Sequence, residues 1–131
     1  EAAIDIQSHT TSGPNTFAQY GAIAALEESQ ESIEVMRVAF ERRRDLMYAG
    51  VSAIPGLVSP KPHGAFYLFP NISATGLDSI TFCARLLEQE HLALVPGIAF
   101  GMDTNVRLSY AADTETIEKG LERLARFMQS L

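Results

Sequence analysis

The chain has 131 residues, 47% of them apolar and 20% charged, with ten Lys and Arg against sixteen Asp and Glu for a net charge of −6. That length favours one domain with a core of its own, since such a chain buries roughly two-thirds of its unfolded surface, and the composition excludes wholesale disorder. An acidic chain without a long basic run is a poor partner for nucleic acid or anionic lipid, and the single cysteine, Cys83, excludes an internal disulfide and a Cys-based zinc site.

One cysteine also fits a reducing, cytoplasmic compartment. No apolar run approaches the roughly 20 residues of a membrane span, and no secretory signal stands at the start. The chain opens Glu1-Ala2-Ala3-Ile4 without Met and runs straight into the polar stretch Gln7 to Asn15. This suggests a piece of a longer protein.

Ser8 to Ser12 reads as a cap-and-turn segment, and Ser12-Gly13-Pro14-Asn15 as a helix start. Thr16 to Glu28 is rich in Ala and Gly and also carries Phe17, Tyr20, Ile23 and Leu26. A helix apolar on most sides expects burial on most sides. Ser29 to Ala49 is predicted to be a long amphipathic helix with Ile33, Met36, Phe40 and Met47 on its inner stripe. Arg42, Arg43 and Arg44 fall on its solvated side. Prolines and glycines break the chain between Gly50 and Pro62.

Gly64 to Ile72 is predicted as a strand, with Phe66 and Leu68 on one side and Ala65, Tyr67 and Phe69 on the other. Apolar residues on both sides predict that both are covered. Ser79 to Glu90 follows as a helix with Ile80, Cys83, Leu86 and Leu87 as its stripe. Leu92 to Val95 is a short strand, and Pro96 to Gly101 a loop framed by glycines. Asn105 to Ala111 is a strand, alternating Val106, Leu108 and Tyr110 with Asn105, Arg107 and Ser109. Asp113 caps a last helix with Ile117, Leu121, Leu124, Ala125, Met128 and Leu131 as its stripe. The order predicts an α+β fold, a small sheet covered by helices and preceded by a long linking helix.

Among residues able to carry chemistry, Arg107 stands out. A guanidinium fixed on a strand can grip a carboxylate through two parallel hydrogen bonds, although an ordinary strand also tolerates an exposed Arg. The loop Pro96 to Gly101 leads toward that strand, so both could line one cleft. Ser8 to Ser12 offers hydroxyls, with His9 the only base at hand and no G-x-S-x-G elbow. His63 and His91 share no metal-ligand spacing, so no metal site is expected. Cys83 sits on an apolar stripe as inert core. The only lysines are Lys61, between two prolines, and Lys119, on a polar helix side. Neither has a reason to be desolvated, as a Schiff-base lysine needs to be.

Four stretches then occur in order. They are Gln7-Ser8-His9-Thr10-Thr11-Ser12 with Asn15 to Gln19, Gly64-Ala65-Phe66-Tyr67, Val95 to Gly101, and Val106-Arg107-Leu108-Ser109-Tyr110-Ala111. Together they resemble the C-terminal part of class I pyridoxal-phosphate aminotransferases, especially those like aspartate aminotransferase. The resemblance implies the small C-terminal domain of the fold-type I enzymes, at residues 29–131, with residues 1–28 as the tail of the large cofactor domain. It implies transfer of an amino group from an amino acid to a 2-oxo acid by a homodimeric full-length enzyme. Arg107 matches the arginine that holds the substrate α-carboxylate, and Phe66 the aromatic residue near the substrate. Thr10, Thr11 and Ser12 match a segment close to the partner subunit's active site. The Schiff-base lysine of the family lies upstream of the Gln7 stretch, so this chain holds no catalytic residue. By itself it is expected to bind no pyridoxal phosphate and to be inactive. Two rival readings are a free-standing regulatory domain that binds amino acids and a structural dimerisation module.

Overall fold

The computed structural model describes residues 1–131, which divide into two compact units, Glu1–Met36 and Arg37–Leu131. The first unit begins with a helix, α1 (Ala2–Thr10), whose last turn takes in Ser8 to Thr10 of the expected cap-and-turn segment, so that the chain turns only at Thr11. Thr10 Oγ1 donates to the carbonyl of Ile6 at 2.8 Å and Thr11 Oγ1 to that of Gln7 at 3.2 Å. They bond back to carbonyls of the preceding turn, so the helix end accommodates both side chains. The next helix, α2 (Thr16–Glu27), starts where expected, its N-cap Asn15 accepting a hydrogen bond from the Phe17 amide at 3.1 Å. Its apolar faces are not buried as expected. Phe17 is 78% and Leu26 82% exposed, because nothing within the first unit covers them.

Helix α3 (Glu31–Ser52) buries only its second half, through Met47 and Val51, while Ile33 and Met36 of the expected stripe stay exposed. Nor do all three arginines face solvent. Arg44 is held at 18% exposure between Glu41 and Asp45.

The sheet has three short antiparallel strands, β1 (Tyr67–Leu68), β2 (Val95–Pro96) and β3 (Val106–Ser109), in the order β1-β3-β2. The strand expected over residues 64–72 shrinks to β1. Ala65 has a left-handed φ of 58°, which breaks extended geometry on one side. Pro70 has no amide to donate on the other. Leu68 pairs with Leu108, both buried, but Phe66 is 46% exposed, so the expectation that both faces are covered fails there.

Helix α4 (Ser79–Glu90) is capped by Asp78, whose carboxylate accepts from the Thr81 amide at 2.8 Å. Its buried stripe is Phe82, Cys83 and Leu86, whereas Ile80 and Leu87 point outward. Helix α5 (Thr114–Gln129) is capped the same way by Asp113 and buries Ile117, Leu124 and Phe127; Leu131 lies outside the core. Phe82 and Phe127 meet edge to face at 5.1 Å and join α4 to α5 in one core with the inner face of the sheet. The α+β class follows. No helix is long and apolar enough to cross a membrane.

Candidate functional site

Alternation on β3 places Val106 and Leu108 in the core and turns Arg107 to the opposite face of the sheet. There the guanidinium carbon lies 5.0 Å from the Tyr67 ring centre and 4.7 Å from that of Phe100. Arg107, Tyr67, Phe69 and Phe100 line a cavity of about 270 Å³. No acidic side chain forms an ion pair with Arg107. A half-buried cation facing aromatic rings and lacking a counter-ion can take a carboxylate in a bidentate grip.

The loop Pro96 to Gly101 does reach this cavity, as its position before β3 suggested. It forms a 3-10 turn (Gly97–Phe100) closed by Gly101 at a left-handed φ of 80°. Gly97 is required there: a Cβ would stand 2.2 Å from the carbonyl oxygens of both Asn105 and Met102. Its amide donates to the Asn105 carbonyl at 2.9 Å, tying the turn to the start of β3. The fully buried Ser79 secures the other side. Its amide and hydroxyl donate to Asp103 Oδ1 at 3.0 and 2.7 Å, and its Oγ accepts from the Ile98 amide at 3.2 Å.

Phe66 lies elsewhere. With Phe40, Arg44, His63 and Tyr110 it lines a separate hollow of about 410 Å³. The Phe66 ring meets Tyr67 edge to face at 4.9 Å, which links the two hollows. Tyr110 donates its hydroxyl to the Ala65 carbonyl at 3.1 Å, and burial pushes its phenol above the usual range. Thr10, Thr11 and Ser12 lie exposed at the end of α1 and line neither hollow. Sequence reasoning missed Tyr67, Phe69 and Phe100 as walls. The first two share one side of their strand by alternation, but Phe100 comes into place only through the turn.

The remaining candidates have other partners. Lys61 pairs with Asp45 at 2.9 Å and Lys119 with Glu115 at 2.6 Å, both on the surface. Hydrogen bonds from Lys61 and Arg44 hold the Asp45 carboxyl below its usual range. Burial pushes the Cys83 thiol up to about 11, which keeps it protonated and unreactive near neutrality. Pyridoxal phosphate needs an amine that can lose its proton in a sheltered site. Neither lysine offers such an amine: both are exposed and ion-paired, and neither lines the Arg107 cavity.

Comparison with known proteins agrees with the order of the motifs. The family model for "aminotransferase class I and II" matches residues 1–124. An aspartate aminotransferase of Geobacillus stearothermophilus is 47% identical over 99% of this chain, which spans 34% of that protein. The crystal structure of the aspartate aminotransferase from Rhizobium meliloti superposes with a TM-score of 0.87 at 36% identity, over 95% of this chain and 34% of that one. An aromatic aminotransferase from Pyrococcus horikoshii gives a TM-score of 0.89 at 38% identity, over 96% and 35%. The chain thus spans about a third of the proteins it resembles. On these matches, this chain belongs to the class I and II aminotransferases.

Proposed function

We propose that this chain is the small C-terminal domain, with the tail of the large domain at residues 1–28, of an enzyme that moves an amino group from an amino acid to a 2-oxo acid. The family match over residues 1–124 supports the reaction class, and the one-third coverage of the relatives supports a domain-sized share of it. In this reading the cofactor is pyridoxal phosphate, which supplies the electron sink for amino transfer. It is held by residues outside this chain, so the chain alone is inactive.

Arg107 anchors the substrate α-carboxylate. One observation carries this role: the guanidinium sits on a rigid strand, faces a cavity and has no acidic partner of its own. An anchored carboxylate leaves the α-carbon in one orientation, so the bond to be broken is presented the same way at each turnover. Phe66 lines the neighbouring hollow and contributes apolar surface near the substrate. In this reading Thr10, Thr11 and Ser12 approach the active site of a second subunit in a homodimer.

The test is Arg107→Ala in the full-length enzyme. Losing a charged bidentate contact should lower kcat/KM for amino acids by on the order of 100-fold or more, while the absorbance of the bound cofactor is unchanged. An unaltered kcat/KM would refute the anchoring role.

A further inference from the structure

The Arg107 guanidinium has no carboxylate to orient it; two rings do so instead. Of these, Phe100 approaches more closely, at 4.7 Å, and is the less embedded in the sheet. It stands on the 3-10 turn, 48% exposed, with no place in the buried core. A phenylalanine outside the core contributes little to stability, and its face is free to hold a cation.

Its position is nonetheless tightly fixed. Gly97 is tied to the first residue before β3, Ser79 of α4 holds the Ile98 amide, and Asp103 bonds Ser79 twice. Phe69 meets the Phe100 ring at 5.9 Å with the planes at 89°. The turn, the start of α4 and the residue after β1 therefore converge on one ring, and that ring faces one guanidinium.

We propose that Phe100 is a positioning residue for substrate recognition, acting through Arg107: its ring holds the guanidinium in the plane that meets a carboxylate with both nitrogens. This rests on the anchoring role of Arg107 proposed above. A long side chain with four rotatable bonds loses entropy when it is fixed for a ligand. Fixing it beforehand against an aromatic face lowers that cost, so the ring acts on substrate affinity through the guanidinium.

The experiment is a double-mutant cycle in the full-length enzyme, with KM for the amino-acid donor and kcat measured separately. Phe100→Leu should raise KM about 5-fold to 10-fold and leave kcat within about twofold. Phe100→Tyr, which keeps the ring face, should restore KM. Phe100→Met provides a second ring-free side chain of similar volume and should match Phe100→Leu. In an Arg107→Ala background, Phe100→Leu should add less than about twofold, because the group it positions is gone. An equal effect of Phe100→Leu in both backgrounds, or no rise in KM, would overturn the positioning role alone. An unchanged KM in Arg107→Ala would overturn the anchoring role and the positioning role together.

Discussion

Residues 37–131 contain one buried apolar cluster, whereas residues 1–36 bury none of their large apolar side chains. The side chains themselves are alike. Phe127 on α5 is fully buried and Phe17 on α2 is 78% exposed, and both stand on regular helices with an Asp or Asn N-cap. Local signals thus form helices in both regions, but only the second supplies opposing surfaces to bury them. In the reading offered above, the surface that α2 lacks is the large domain of the enzyme.

Core truncation separates the two regions most strongly. Phe127→Ala should destabilise this chain by about 3–5 kcal/mol in urea unfolding. Phe17→Ala should change it by less than about 0.5 kcal/mol. Equal losses would mean that residues 1–36 share the core after all.

A sharper probe within the second region is Gly97→Ala. The new Cβ would strike two backbone carbonyls that have little freedom to yield, so the turn must leave β3. We expect a cost of about 1–3 kcal/mol, together with weakened carboxylate binding in the full-length enzyme. Wild-type stability and binding would show that the turn is looser than its hydrogen bonds indicate.

The smallest expected effect concerns pH. Hydrogen bonds from the Thr116 amide and hydroxyl hold the Asp113 carboxyl below its ordinary value. Its folded form therefore takes up a proton less readily than its unfolded form. The stabilisation is complete above about pH 4 and is lost as pH falls through the lowered value. Asp113→Asn keeps an acceptor for the cap and removes the titration. The acid limb of its stability profile should be shallower than that of the wild type; an identical limb would assign the acid sensitivity elsewhere.

Local chemistry made some of this legible. Asp113 announced α5 as its cap, the apolar period announced α4, and alternation on β3 singled out Arg107. What stayed hidden depended on distant partners or on hydroxyl groups. The α1 helix lacks an apolar stripe and ends in hydroxyl residues that read equally well as a turn. Ala65 adopts its left-handed backbone for no reason its own side chain gives. Ile80 and Leu87 fit the helical period on α4 as well as Phe82 does, and only α5 opposite decides which of them is covered. Phe100 meets Arg107 across a turn and a sheet, a proximity that spacing does not encode. The order of the four motifs was legible as a family resemblance, and the matches over nearly the whole chain bear it out.

The central claim is that Arg107 is the carboxylate anchor, and direct binding tests it without reference to turnover. The full-length enzyme, wild type and Arg107→Ala, would be titrated calorimetrically with a 2-methyl amino acid, which has no α-hydrogen to lose. Arg107→Ala should weaken binding by on the order of 30-fold or more, while the corresponding amine without a carboxylate should bind both proteins equally. Equal affinity of the two proteins for the 2-methyl amino acid would contradict the anchoring role.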